Sequence, residues 1–342
     1  MIQGHGNDIF NYNNVINTDF SSNVWYNSNT NELLEYLKTR IEHIKNYPDP
    51  DSSELKIKIA KLHNITSSEI LVTNGSTEAF YLIAQTFSGI TSNIFYPSFA
   101  EYEDACKIFK HKIQFHTTDS FNRYSPKNTY GLVWIGTPNN PDGTTIEATT
   151  LEKLCEENPK TYFVIDEAYN ELCWDSTSII PITNRHPNLI IIKSFTKAFA
   201  IPGIRLGYVV ASKSIISRIR DIKIPWSVNS LAIDAGLFIC DNYNKLLPAI
   251  EVVSQKSIIL QQQIETISGI EVHNSKCNFF LVKMERGSAT KLKAFLIDRY
   301  GILIRVASNF RGLNDSFFRI AVQSDEENKL FIKGVKEFLN TQ

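Results

Sequence analysis

Leu189-Ile190-Ile191-Ile192-Lys193-Ser194-Phe195-Thr196-Lys197, continued after a short gap by Ile201-Pro202-Gly203-Ile204-Arg205-Leu206-Gly207-Tyr208, decides how the chain is read. The apolar run 189–192 reads as a strand that delivers Lys197 to a loop. A lysine amine becomes a nucleophile toward aldehydes where its surroundings destabilise the ammonium form. Here the hydroxyls of Ser194 and Thr196 and the guanidinium of Arg205 flank it in a phosphate-binding pattern. The combination suits an aldehyde that carries a phosphate. Pyridoxal 5'-phosphate is such a molecule: Lys197 would hold its aldehyde as a Schiff base, with Ser194, Thr196 and Arg205 on its phosphate. In isolation the stretch also reads as an ordinary surface lysine after a strand, so the context has to come from the rest of the chain.

Six further short apolar runs occur at 70–73, 94–96, 113–116, 132–135, 162–165 and 206–211. Most are separated by helix-like patterns, the signature of crossover connections and a mostly parallel sheet covered on both faces. In open α/β sheets ligands bind beyond the carboxyl ends of the strands, so the polar tails of these runs should converge on one crevice. The run 70–73 leads into Asn74-Gly75-Ser76-Thr77-Glu78 and a helical pattern. Such a helix start offers free backbone amides to a phosphate, although a capped helix without a ligand reads the same way. The run 132–135 leads to Thr137-Pro138-Asn139-Asn140-Pro141-Asp142-Gly143, a rigid turn presenting Asn140, whose amide can donate to the phenolate oxygen of a pyridoxal ring. The run 162–165 leads to Asp166-Glu167-Ala168-Tyr169. A carboxylate at Asp166 would keep a pyridine nitrogen protonated so that the ring can accept electrons from a bond broken at a substrate's alpha carbon, with Tyr169 within reach of the phenolate oxygen. Alone, that stretch equally suits a helix cap or a magnesium ligand.

The first forty residues read as an arm leading into a helix over 32–44, which Tyr47-Pro48-Asp49-Pro50 ends, and a second helix spans Ser53–His63. After Pro225-Trp226-Ser227-Val228-Asn229 a long helical region begins. It is followed by strands at 279–282, 303–305 and 318–320 and helices at 289–298 and 325–339. The expected division is an arm and part of a small domain at 1–40, a large cofactor-binding domain at 41–232 and a small α+β domain at 233–342. With 342 residues, 21% of them charged, and a formal net charge of -1, no general basic field is available for nucleic acid or anionic lipid. No apolar run approaches a membrane span, and Met1-Ile2-Gln3-Gly4-His5 lacks the segments of a signal peptide, so a cytoplasmic location is expected. The five scattered cysteines, with no short pair spacing, argue against a disulfide framework and against a zinc site, and no metal is expected.

Taken together, Asn74 through Glu78, Thr137 through Gly143, Asp166 through Tyr169 and Ser194 through Tyr208 resemble the fold type I pyridoxal-phosphate enzymes of the class I/II aminotransferase family, over nearly the whole chain. The resemblance implies a large domain with a seven-stranded, mostly parallel sheet plus a small α+β domain, and pyridoxal 5'-phosphate as cofactor. It implies that Gly75 and the amides of Ser76 and Thr77 join the phosphate site, that Tyr102 stacks on the ring, and that Arg319 pairs with the substrate's alpha-carboxylate. Tyr47 resembles the tyrosine lent to a neighbouring subunit's cofactor phosphate, which implies a homodimer. Gly4-His5-Gly6-Asn7, Phe99-Ala100-Glu101-Tyr102, the 225–229 segment and Ile304-Arg305 are similar to the branch that decarboxylates L-threonine O-3-phosphate for cobalamin. Transamination of histidinol phosphate is the alternative. On that branch His5, Asn7 and Arg305 would hold the substrate's phosphate and Asn23 would lie near its carboxylate. Three departures bear on those contacts: His-Gly-Asn-Asp replaces His-Gly-Gly-Asn, no Asn-Pro follows Asn23, and Asp142 stands where a threonine is usual.

Overall fold

The computed structural model of the chain describes residues 6–13 and 15–341. A two-residue strand, β1 (Thr18–Asp19), precedes the large sheet. That sheet consists of β2 (Ile70–Thr73), β3 (Thr91–Tyr96), β4 (Lys112–Thr117), β5 (Gly131–Gly136), β6 (Thr161–Asp166), β7 (Leu189–Ser194) and β8 (Gly207–Ala211), in the spatial order β2-β8-β7-β6-β5-β3-β4. β8 is antiparallel to β2 and β7, and the other neighbours are parallel. Every residue of β7 is buried, because both faces of the sheet are covered, and its first four residues are correspondingly a continuous apolar run. β4 lies at the edge and keeps Lys112 and other polar residues exposed, which discourages pairing with another chain.

Successive residues of the strands feed two cores. Val133, Ile135, Phe163, Ile165 and Ile191 face one, while Leu132, Trp134, Val164, Ile190 and Ile192 face the other. Helices Gly75–Thr86, Ala100–Ile108 and Lys213–Arg220 cover the second face with Phe80, Ile83, Tyr102, Ala105, Ile215 and Ile219. Since β5, β6 and β7 run in parallel, their carboxyl ends bring Asn140, Asp166 and Lys197 to one side of the sheet.

The later part of the chain contributes β9 (Ile270–Val272), β10 (Phe279–Met284), β11 (Ile302–Leu303), β12 (Arg305–Val306) and β13 (Phe317–Ala321). An antiparallel sheet of order β12-β13-β10-β9 forms there, while β11 pairs in parallel with β1, so the start of the chain is stitched to its end. The single strand expected at 303–305 is therefore two: the chain leaves β1 at Leu303, passes the fully buried Ile304, and joins β13 at Arg305. The helix expected over 32–44 ends sooner. It is α-helical over Asn31–Arg40 and tightens to a 3-10 helix over Ile41–Lys45. The helical region after residue 229 divides into Ser230–Asp241, Tyr243–Leu246 and Ile250–Glu265. Among the described residues no helix is long and apolar enough to cross a membrane.

Candidate active site

Beyond the carboxyl ends of the strands lies a cavity of about 410 Å3. Asn7, Ser76, Thr77, Tyr102, Asn140, Asp166, Tyr169, Ser194, Thr196, Lys197, Arg205, Arg305 and Arg319 all line it. Most side chains nominated from the sequence thus share one space, although they come from segments hundreds of residues apart.

Lys197 follows β7, and its Nζ donates to the Ser22 carbonyl oxygen at 2.8 Å. Burial lowers its amine to about 7, with the nearby Arg319 and Arg205 guanidiniums acting in the same direction. A large part of the amine is therefore neutral at neutral pH, the form that attacks an aldehyde. The ammonium position lies 6.0 Å from the centroid of the Tyr169 ring.

Asp166 ends β6 and is 7% exposed. Its Oδ2 accepts a hydrogen bond from the Tyr102 hydroxyl at 2.6 Å, and its Oδ1 accepts from the Ala168 amide at 3.0 Å. Burial raises its carboxyl to about 6, against these two bonds, which favour the ionised form. A cation in the cavity would restore the charged carboxylate. Tyr169 packs on Phe279 with ring centroids 4.7 Å apart, and burial raises its phenol.

A cluster of hydrogen-bond donors is assembled where helix Gly75–Thr86 starts. Gly75 has φ +74, and a Cβ there would lie 2.4 Å from Arg205 Nη2, so only glycine lets the guanidinium close over the helix start. Gly207 of β8 has the same function from the other side, since its Cβ would meet the Ser76 amide nitrogen at 2.7 Å. The free amides of Ser76 and Thr77, the hydroxyls of Ser194 and Thr196 and the Arg205 guanidinium make a donor set suited to a phosphate dianion. The residues present fit pyridoxal 5'-phosphate: a cup for its phosphate, an amine for its aldehyde and an acid for its ring nitrogen.

Opposite this half stand two arginines. Arg305 on β12 and Arg319 on β13 are direct cross-strand partners, 8% and 4% exposed. Arg319 donates through Nη1 to Asn140 Oδ1 at 2.5 Å and through Nη2 to the Ser21 carbonyl, while its buried Nε has no hydrogen-bond partner among the described residues. Arg305 donates to the Val306 carbonyl and to Asn309 Oδ1, both at 2.6 Å. Burial, followed by the neighbouring Arg319 charge, lowers the Arg305 guanidinium to about 9. Two like charges set opposite each other cost free energy that bound anions relieve.

Asn7 lines the cavity. Its amide donates to Ser21 Oγ at 2.7 Å and its side chain to Asp19 Oδ2 at 3.0 Å. His5 lies outside the described residues. Asn23 is fully buried behind the wall with φ +56, and Ser22 and Val24 on either side line the cavity in its stead. Tyr47 is 84% exposed, away from this cavity, with its ring 5.1 Å from that of Trp226. Reading the sequence missed the Ser22 carbonyl on Lys197, which no side chain announces, and the Tyr102 hydroxyl on Asp166, which depends on contact between distant segments.

The sequence profile of the family described as aminotransferase class I and II matches residues 16–335. The crystal structure of L-threonine-O-3-phosphate decarboxylase from Porphyromonas gingivalis superposes with a TM-score of 0.91 at 37% identity, covering 94% of this chain and 99% of that one. Histidinol-phosphate aminotransferase of Thermoanaerobacter pseudethanolicus is 33% identical over 303 residues, 86% of this chain and 84% of the relative. An adenosylcobalamin biosynthesis bifunctional protein of Leptospira interrogans is 30% identical over 334 residues, 92% of this chain and 38% of that larger protein.

Proposed function

Because the chain belongs to the aminotransferase class I and II family, whose cofactor is pyridoxal 5'-phosphate, we propose that it decarboxylates L-threonine O-3-phosphate to (R)-1-amino-2-propanol O-2-phosphate for cobalamin biosynthesis. The observation that carries this reading is the buried cross-strand pair Arg305 and Arg319 on one cavity wall. A substrate with a carboxylate and a phosphate gives each guanidinium its own anion. Histidinol phosphate brings only one. The likeness to the Porphyromonas gingivalis decarboxylase supports the same reading.

When bound, the cofactor supplies an aldehyde that takes up the substrate amine and a protonated ring that accepts the electron pair left at the alpha carbon. Asp166 keeps the positive charge on the ring nitrogen, and Asn140 and Tyr169 serve the ring oxygen. Lys197 would hold the aldehyde in the absence of substrate, and its Nζ, with the amine lowered by burial, would be the group placed to carry a proton at the alpha carbon. Arg319 holds the carboxylate and Arg305, with Asn7 and His5, the phosphate. Asn23, buried behind the wall, is given no contact with the carboxylate.

Histidinol phosphate transamination is the second reading, favoured by the 33% identity to the Thermoanaerobacter enzyme. The two separate on one measurement, carbon dioxide release from O-phospho-L-threonine by the cofactor-loaded protein. Release without an amino acceptor supports decarboxylation; a keto product that requires an acceptor, with no gas, refutes it. We further propose a cytoplasmic homodimer in which Tyr47 reaches the cofactor phosphate of the second copy. Support comes from the exposed apolar residues Ile44, Tyr47, Ile224 and Trp226 and from the five free cysteines. Sedimentation as a monomer would overturn the dimer.

A further inference from the structure

We propose that Tyr102 is a positioning residue whose hydroxyl fixes the Asp166 carboxylate and holds it ionised, in addition to offering its ring as a face for the cofactor. The inference rests on the reading of Asp166 as the partner of the cofactor's ring nitrogen.

Three observations carry it. The first is the bond itself, a phenol hydroxyl 2.6 Å from the Asp166 Oδ2 across 64 residues of sequence. The second is how the phenol is held. Tyr102 is 2% exposed, stacks on Trp134 with centroids 5.7 Å apart and planes 20° apart, and meets the edges of Phe80 and Phe99. Trp134 is itself anchored by its Nε1 donating to Ser92 Oγ at 3.1 Å. A ring clamped on three sides keeps its hydroxyl in place. The third is that space has been left for the bond. Gly136 is the direct strand partner of Asp166, and a Cβ at Gly136 would come within 3.2 Å of the Tyr102 hydroxyl.

A buried tyrosine hydroxyl usually finds some acceptor, and a carbonyl would satisfy it. Here the acceptor is the one carboxylate whose charge the chemistry needs. Asp166 sits in surroundings that push it toward the neutral acid, a form unable to hold a positive charge on the ring nitrogen. A hydroxyl donor stabilises the ionised form. The other groups that act on Asp166 are Glu167 and Tyr169 from its own loop, Lys193 from β7 and Lys197 beyond it. Glu167 opposes ionisation and Lys193 favours it, and both belong to a separate buried cluster in which Lys193 Nζ lies 2.6 Å from Glu171 Oε1. Tyr102 is thus the side-chain donor that reaches Asp166 from outside that cluster.

The test uses Tyr102→Phe, which keeps the ring and removes only the hydroxyl. The probe is the loaded enzyme carrying cofactor labelled with 15N at the pyridine nitrogen, its chemical shift followed against pH without substrate. A hydrogen bond to a charged group is strong enough to move an ionisation constant by about tenfold or more. The labelled nitrogen in Tyr102→Phe should therefore lose its bound-state shift at a different pH from wild type, by about one unit. The acid limb of the turnover profile should move upward by a similar amount, while the dissociation constant of the cofactor changes less than in Tyr102→Leu, which loses the ring face too. Substituting 3-fluorotyrosine at the same position, a stronger donor of the same shape, should move the limb the other way. If the Tyr102→Phe titration superposes on that of wild type while Asp166→Asn alters it, the role given to Tyr102 is wrong and that of Asp166 stands. If Asp166→Asn leaves the signal unchanged, the reading of Asp166 fails and this inference with it.

Discussion

Replacing Arg305 with methionine isolates the substrate half of the site from the cofactor half. The guanidinium lies on the cavity wall, 8% exposed, oriented by the Val306 carbonyl and the Asn309 side chain. If it holds the substrate phosphate, Arg305→Met removes one charge-assisted hydrogen bond of about 1.5–3 kcal/mol. At about 1.4 kcal/mol per decade, kcat/KM for O-phospho-L-threonine should fall roughly 10- to 100-fold, mainly through KM. The fold should bear the change well. Methionine fills much of the volume, and the variant loses a like-charge neighbour of Arg319, a cross-strand opposition that costs about 0.2–1 kcal/mol. The melting temperature of the apo-protein should stay level or rise. The assay is initial-rate carbon dioxide release with O-phospho-L-threonine and, in parallel, with L-threonine. The unphosphorylated amino acid has no phosphate to lose contact with, so its kcat/KM should be almost unaffected. A loss of the same factor for both substrates would refute the assignment, because Arg305 would then act on the structure of the site and not on the phosphate.

Lys197→Ala should abolish turnover while retaining part of the cofactor affinity through the phosphate cup, and borohydride reduction should no longer leave a label on the protein; near-normal activity would contradict the covalent role of Lys197. Burial brings the Lys197 amine down to about 7, so capture of the cofactor by the apo-protein, followed by its absorbance change, should speed up between pH 6 and 8 as the ammonium loses its proton. Gly75→Ala should shift Arg205 off the helix start and add left-handed strain of about 1–2 kcal/mol, weakening cofactor binding tenfold or more by equilibrium dialysis. His63 accepts or donates at Tyr208 over 2.7 Å, and burial, then the Lys193 charge, lowers its imidazole to about 4. The folded state therefore binds fewer protons than the unfolded chain between pH 6.5 and 4, and stability falls as pH drops through that window. His63→Gln should flatten that part of the melting-temperature profile; an unchanged slope would exclude His63 as its source.

The two halves of the site differ in how far the sequence announces them, and the difference is physical. Asp166 is the last residue of β6, and Lys197 and Asn140 follow closely on the ends of β7 and β5, so an apolar run with a polar tail points to each one locally. The cup at Gly75 is equally local, a strand end, a glycine and a helix start in six residues' reach. The arginine pair is not. It exists because β12 and β13 align Arg305 with Arg319. A slip of one residue would set Phe318 or Ile320 opposite Arg305 and move the guanidinium of one strand to the other face. No local pattern fixes that register, and the expected strand at 303–305 even ran through Ile304, where the chain changes sheets. The same holds for Tyr102 on Asp166 and for the Ser22 carbonyl on Lys197, contacts created by packing between distant segments. Cofactor chemistry is written in strand tails and survives as a motif, whereas the choice of substrate depends on pairing register. Relatives that share the first half can therefore differ in the second, and substitutions around β12 and β13 are where a change of substrate should be sought.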